Sequence, residues 1–197
     1  MQKGLLLVLS GPSGTGKGTV CKALLNKRKD ISLSVSCTTR TPRPGEIDGK
    51  SYFFKTREEF EGLIEQNAFL EYADVFSNYY GTPRSFVDAA IDQGKDVLLE
   101  IDVQGALKVK KAYPHGVYIF LVPPTMEELE SRIRNRGTET AAQIEARLGK
   151  ASAEMKLMNE YDYRIVNDQV DDVVCQIEAI MTAERLRVFR YQEQTKE

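Results

Sequence analysis

Short apolar runs punctuate the chain at residues 5–9, 97–101, 117–122 and, more weakly, 163–166. The first three are each followed by a stretch of helical spacing, at 17–29, 103–112 and 125–136. Runs of this length with little alternation predict strands buried on both faces, and their interleaving with helices predicts a parallel sheet covered by helices. Pro123-Pro124 introduces the third helix, with Thr125 as its expected N-cap. Towards the C-terminus Val170, Val173, Val174, Ile177, Ile180 and Met181 recur at helical spacing, and this apolar stripe reads as core packing.

Residues 35–85 break that rhythm. They begin with a basic, turn-rich loop, Thr38-Thr39-Arg40-Thr41-Pro42-Arg43-Pro44-Gly45, and continue with short strands at 51–54 and 69–76 around a helix at 58–66. Tyr52, Tyr72, Tyr79 and Tyr80 concentrate here, so the segment reads as an inserted lobe. A second polar segment, 137–149, with Thr138, Glu139, Thr140 and Arg147, lies between two helical patterns and suits a mobile lid.

The 197 residues suffice for one α/β domain with small inserted pieces, and 42% hydrophobic with 28% charged residues is a globular composition. A net charge of −2 argues against a broad nucleic-acid or anionic-membrane surface, so any phosphate recognition is local. Cys21, Cys37 and Cys175 are scattered and form neither a disulfide framework nor a CxxC metal site. The five apolar residues 5–9 are too few for a signal peptide or a membrane span. The expectation is a cytoplasmic protein, with no membrane or nucleic-acid partner, either monomeric or homo-oligomeric.

The chemistry starts where the first strand ends. GPSGTGKGT, residues 11–19, places glycines before a lysine at the head of a helix. Backbone N–H groups of such a turn converge on one concavity, and the helix N-terminus adds positive potential where phosphate oxygens would sit. Gly-x4-Gly-Lys alone arises by chance in roughly one chain of this size in twenty. A buried-type strand before it and a helix after it make the pattern a triphosphate cradle formed by Gly11, Pro12, Ser13, Gly14, Thr15, Gly16, Lys17, Gly18 and Thr19. Lys17 is the mobile charge on the β- and γ-phosphates. Gly18 stands where a Ser or Thr usually holds Mg²⁺, with Thr19 following, which puts direct hydroxyl ligation in question.

Other candidates lie at strand ends and in the polar segments. Glu100 and Asp102 are two apart and project from one face of an extended strand. Asp102 reads either as a partner of Mg²⁺ through water or as the N-cap of the helix at 103; Glu100 has a surface ion pair as its alternative. Arg40 and Arg43 can grip a phosphate with paired guanidiniums, or can belong to a solvated basic loop. Tyr52 and Tyr80 can add phenolic hydrogen bonds or simply pack. Arg132 and Arg136 share a helical face near Arg147, where arginines arriving on closure would stabilise a moving phosphoryl group; a plain surface role is the alternative for each. Arg134 points elsewhere, and His115, the sole histidine, reads as a turn residue.

GPSGTGKGT, SVSCTTRTPRPGEIDG, NYYGT, EIDVQG, RGTET and IVND occur in this order, and with them the chain resembles guanylate kinases over nearly its whole length. The resemblance implies an α/β, P-loop NTPase three-layer fold with a central parallel sheet, an inserted GMP-binding lobe and a lid. The core would comprise residues 1–34, 86–136 and 150–197, the GMP-binding lobe 35–85 and the lid 137–149. It implies Mg-ATP-dependent phosphoryl transfer to GMP or dGMP, with ATP and GMP/dGMP as substrates and Mg²⁺ as cofactor. By motif position it assigns the acceptor phosphate to Arg40, Arg43, Tyr52 and Tyr80, and the guanine to Ser36, Glu71, Thr82 and Glu100. Lys17, Arg40, Arg43, Arg132, Arg136 and Arg147 become the catalytic set. Mg²⁺ falls to nucleotide oxygens, water and Asp102, with Thr19 as a further candidate, since Gly-Lys-Gly-Thr resembles the loop of adenylate kinases. Asn167 and Asp168, after the last strand, are candidate neighbours of adenine.

The guanine assignment is chemically sound. Guanine offers N1–H and N2–H donors to a carboxylate and an O6 acceptor to a hydroxyl, a pattern that adenine reverses. Two rival readings are a non-catalytic scaffold module of the same type, which the intact Gly16-Lys17 disfavours, and an enzyme acting on another acceptor, which Glu71 with Thr82 disfavours.

Overall fold

Adjacent residues of the first strand pack into different cores, which makes this strand the middle of the molecule. Leu7 and Leu9 join one buried cluster and Leu6 and Val8 another, as the two-residue period of a strand requires when both faces are covered. The computed structural model describes residues 3–75, 77–134 and 141–192. In chain order these form β1 (Leu6–Ser10), α1 (Lys17–Lys27), β2 (Ile31–Leu33), β3 (Cys37–Thr38), β4 (Phe53–Phe54), α2 (Arg57–Glu65), β5 (Phe69–Val75), β6 (Asn78–Pro83) and α3 (Arg84–Asp92). There follow β7 (Asp96–Glu100), α4 (Val103–Ala112), β8 (Val117–Val122), α5 (Met126–Arg134), α6 (Ala141–Met155), β9 (Tyr163–Val166), α7 (Val170–Arg185) and α8 (Val188–Gln192).

The central sheet has the order β2-β7-β1-β8-β9, and every pair in it is parallel. On one face, Val20, Cys21 and Leu24 of α1 pack with Val173, Val174, Ile177 and Met181 of α7, which confirms the C-terminal stripe as core. On the other face lie Val87, Ala90 and Ile91 of α3 with Ala106 and Val109 of α4. The result is a three-layer α/β sandwich. Because β1 has parallel neighbours on both sides reached by separate crossovers, a crevice opens beyond its carboxyl end.

The lobe is a second sheet of order β4-β3-β6-β5, with β5 and β6 antiparallel. It has its own small core, in which Phe60 of α2 stacks on Phe69 at 4.4 Å and on Tyr79 at 5.2 Å. A reciprocal capping box between Thr56 and Glu59 starts α2. Leu70 of β5 enters the core beneath α4, joining the lobe to the main sheet.

Several boundaries move. The first strand runs Leu6–Ser10 rather than 5–9, the second core strand Asp96–Glu100 rather than 97–101, and α1 stops at Lys27 rather than residue 29. In the lobe the strand expected at 51–54 is Phe53–Phe54, that at 69–76 ends at Val75, and the helix at 58–66 is Arg57–Glu65. Thr125 caps α5 as expected, its hydroxyl accepting from the Glu128 N–H at 3.1 Å. The segment expected to be a polar lid is helical over 141–149, the first part of α6. Boundaries drawn at 85/86 and 149/150 therefore fall inside α3 and α6, while residues 137–140 lie outside the described residues. The helical character of α6 comes from its apolar face: Ile144, Leu148 and Ala151 pack with Leu129 and Ile133 of α5.

Candidate active site

The loop after β1 wraps so tightly that side chains are excluded at two points. Gly11 has φ +143°, and a Cβ there would lie 2.2 Å from the Leu121 carbonyl oxygen of β8. Gly16, the N-cap of α1, has φ +90°, and its Cβ would lie 2.5 Å from the Asn167 Nδ2. That amide nitrogen donates to the Thr15 carbonyl at 2.6 Å, and the Thr15 hydroxyl donates to the Pro12 carbonyl at 2.9 Å. The cradle is thus braced from outside by a residue directly after β9. Lys17 curls back over the loop, its Nζ donating to the carbonyls of Gly11 at 2.6 Å and Pro12 at 3.0 Å. Burial lowers its pKa, against the raising effect of Glu100, Glu154 and Asp102.

A cavity of about 320 Å³ opens beside this loop, and Gly11, Ser13, Lys17, Ser36, Tyr52, Glu71, Tyr80, Glu100, Asp102 and Arg147 all line it. The P-loop lysine and the lobe's polar residues therefore share one space. Gly18 and Thr19 are exposed in the first turn of α1.

At the lobe end Glu71 is buried and accepts a 2.8 Å hydrogen bond from the Thr82 hydroxyl. The β5–β6 register creates this pair by setting the two residues opposite each other. Burial pushes the Glu71 carboxyl up to about 7, despite the Thr82 hydrogen bond; Asp102 raises it further and Lys108 opposes.

Tyr52 and Tyr80 meet edge-to-face at 5.9 Å, and the Arg40 guanidinium lies 5.5 Å from the Tyr52 ring centre. Short pairings bring them together, since Thr38 of β3 is opposite both Phe54 and Tyr80. Arg40 is held by Glu46, its Nη2 donating to both carboxylate oxygens at 2.8 and 3.0 Å. Arg43 is exposed, and its backbone N–H donates to Glu46 Oε2 at 2.8 Å.

Asp102 satisfies one of its two readings outright: its Oδ1 accepts the Gly105 N–H at 2.7 Å as the N-cap of α4. It also lines the cavity. Glu100 is exposed at the end of β7 and makes no ion pair among the described residues. A Cβ on Gly18 would be 3.4 Å from its Oε1, and it neighbours Cys21 and Lys17. Desolvation of the carboxyl raises its pKa, while Lys17 and the Cys21 thiol lower it. Arg132 donates from Nε to Glu128 at 2.9 Å and from Nη2 to the Asn167 carbonyl at 3.2 Å. Arg134 is exposed and pairs with Glu130, away from the cavity as expected. Arg136 lies outside the described residues.

Two participants, Glu46 and Glu154, escaped the sequence reading, and Asn167 was read there only as a neighbour of adenine. Glu46 was visible as the first acid after a loop carrying two arginines. Glu154, buried and lining the cavity, stands seven residues after Arg147, two helical turns on. Asn167's bracing role had no local signal, because its partner is 152 residues away.

A strand-loop-helix phosphate cradle at the switch point of a parallel sheet, sharing a cleft with an inserted lobe, defines a P-loop nucleotide phosphotransferase. Comparison with known proteins narrows the class. The family model described as guanylate kinase matches residues 3–184. The chain is 56% identical over 189 residues to the guanylate kinase of Caldanaerobacter subterraneus subsp. tengcongensis, covering 96% of this chain and 92% of that protein. It is likewise 56% identical over 190 residues to that of Clostridium tetani, covering 96% and 91%. A crystal structure of guanylate kinase from Anaplasma phagocytophilum superimposes with a TM-score of 0.79 at 39% identity, covering 96% of this chain and 90% of that one. The chain belongs to the guanylate kinase family.

Proposed function

We propose that the protein transfers the γ-phosphoryl group of ATP to GMP or dGMP, giving ADP with GDP or dGDP. The observation that carries this reading is the sharing of one cavity by Lys17 of the phosphate loop and the buried Glu71 of the lobe, which Thr82 supports. The loop takes the ATP phosphates. Glu71 accepts the guanine N1–H and N2–H, Thr82 and Ser36 supply hydroxyls for the base, and Glu100 flanks it. Arg40, Arg43, Tyr52 and Tyr80 take the acceptor phosphate.

The acceptor oxygen is already anionic, so no general base is needed. Catalysis reduces to alignment, exclusion of water and neutralisation of charge on the moving group. Lys17 leaves its loop carbonyls for the β/γ-phosphates, and Arg132 and Arg147 supply charge from the α5–α6 side; Arg136, outside the described residues, belongs to the same catalytic set by its motif position alone. Residues 141–149, the described part of the expected lid and the start of α6, close over the phosphates. Mg²⁺ binds through nucleotide phosphates and one or two carboxylates while retaining waters. Asp102, the N-cap of α4, lines the cavity near Lys17 and meets that demand, so it would hold the ion, with Thr19 as a weaker candidate. When bound, the ion neutralises charge on the β- and γ-oxygens.

Among the described residues no helix is long and apolar enough to cross a membrane. The free cysteines Cys21, Cys37 and Cys175 suit a reducing compartment, and we assign the protein to the cytoplasm.

The test is a comparison of GMP, dGMP, AMP, CMP and UMP as acceptors in an ADP-coupled assay at fixed Mg-ATP. Guanine acceptors should exceed the others by several orders of magnitude in kcat/KM, because a mismatched base leaves buried polar groups unpaired. AMP turning over as well as GMP would refute the assignment.

A further inference from the structure

We propose that Glu46 is a positioning residue for the acceptor phosphate: it fixes the Arg40 guanidinium and the Arg43 backbone in register before the phosphate arrives. The inference rests on the reading of Arg40, Arg43, Tyr52 and Tyr80 as the phosphate subsite.

The loop from Arg40 to Glu46 is closed on itself by one carboxylate. Glu46 binds the Arg40 Nη2 through both oxygens and the Arg43 N–H through Oε2, while the Glu46 N–H returns to the Arg43 carbonyl at 3.0 Å. Arg40 is further tied by Nη1 to the Thr41 carbonyl at 2.7 Å. Side-chain exposures of 14% for Arg40 and 21% for Glu46 set this pair apart from the looser surface ion pairs of this chain, such as Arg57–Glu61 at 50% and 48%. The two groups also shift in concert: Glu46 raises the Arg40 pKa, and Arg40, then the Arg43 N–H, lowers that of Glu46.

A guanidinium has five N–H groups, so Arg40 retains donors for a phosphate while these contacts hold. The Tyr52 ring and Tyr80 flank it. Without Glu46, an exposed loop would have to freeze a rotamer-rich arginine and its own backbone on binding, which is the cost that preorganisation removes. Glu46 also places a negative charge near an incoming anion, an effect of opposite sign. The two-point hold on Arg40 and on the Arg43 backbone makes ordering the larger effect.

The test compares wild type, Glu46→Ala, Glu46→Gln and Arg40→Ala. The readouts are KM and kcat for GMP, KM for ATP, melting temperature, and the inhibition constant of guanosine, which carries the base without the phosphate. Glu46→Ala should raise the KM for GMP roughly tenfold and leave guanosine inhibition and the KM for ATP within about twofold. Glu46→Gln keeps the reach and an acceptor oxygen, so it should recover part of the loss; it also carries the test if the alanine variant does not fold. An unchanged or lower KM for GMP, or guanosine weakened by the same factor, would overturn the proposal. Arg40→Ala separates the two levels of inference. If it weakens GMP no more than guanosine, the phosphate subsite itself is wrong. If it weakens GMP selectively while the Glu46 variants do not, only the role of Glu46 falls.

Discussion

The Thr82 hydroxyl donates to the Glu71 carboxylate at 2.8 Å from a fully buried position, so the lobe's acid is held by the neutral donors of Thr82 and, among the described residues, makes no ion pair. Burial therefore leaves it near pKa 7, up from the usual 4.5. Guanine needs the ionised form. Between pH 8 and pH 6 the ionised fraction falls about tenfold for such a group, and guanosine inhibition should weaken by that factor as pH drops. Guanosine is the proper probe because the GMP phosphate titrates in the same range. In Glu71→Gln this pH dependence should vanish; its persistence would assign the titration to another group.

The same burial makes a stability prediction of opposite sense. Between pH 4.5 and 7 the folded state holds a proton on Glu71 that the unfolded chain releases, so stability is lost as pH rises through that window. Glu71→Gln should thus abolish guanine-dependent turnover and yet raise stability at pH 8, by on the order of 1–3 kcal/mol. Thermal melts at pH 5 and pH 8 check it: the gain should appear only at the higher pH.

Asn167 and Gly16 form a second coupled pair. Gly16→Ala introduces a Cβ 2.5 Å from Asn167 Nδ2 at a backbone φ of +90°. The clash can be relieved by Asn167→Ala, whereas the left-handed backbone still costs an alanine about 1–2 kcal/mol. The double variant should therefore remain destabilised and weak for ATP, since Asn167→Ala also removes the bond to the Thr15 carbonyl. Full recovery in the double variant would show that crowding alone requires Gly16.

The strands most legible in the sequence were those buried on both faces: β1, β7 and β8 stand out because nothing polar interrupts most of their length, whereas β9, buried only at Ile165 and interrupted by Arg164, gave the weaker run. The lobe was less legible because β3 and β4 are two residues each, too short for any period to register. Helix α3 was missed because it follows β6 without a linking loop, entered at Pro83. The phosphate loop could be read locally, since its chemistry lies within nine consecutive residues. The Arg40–Tyr52–Tyr80 cluster could not, because it depends on Thr38 pairing on both sides. Asp102 shows a further limit: both readings of one residue, cap and site acid, are compatible with the same geometry.

Lys17 is predicted to contribute to turnover rather than to folding. Its Nζ bonds only the carbonyls of its own loop among the hydrogen bonds of the described residues, and its burial already disfavours the charge. Lys17→Ala should lower kcat for GDP formation about 10²–10³-fold with a melting temperature at or above that of wild type. Near-normal turnover in a coupled assay would remove Lys17 from the mechanism.

The two roles of Asp102 can be separated by two substitutions. Asparagine is as good an N-cap as aspartate, so Asp102→Asn should keep the Gly105 N–H bond and the melting temperature, whereas Asp102→Ala should lose about 1 kcal/mol. Both remove the carboxylate that would face Mg²⁺. In a Mg²⁺ titration of activity at fixed ATP, both variants should need more metal for half-maximal rate, and both should show the same shift despite their different stabilities. If Asp102→Asn titrates like wild type, Asp102 serves α4 alone, and the metal must be held by the nucleotide and water without it.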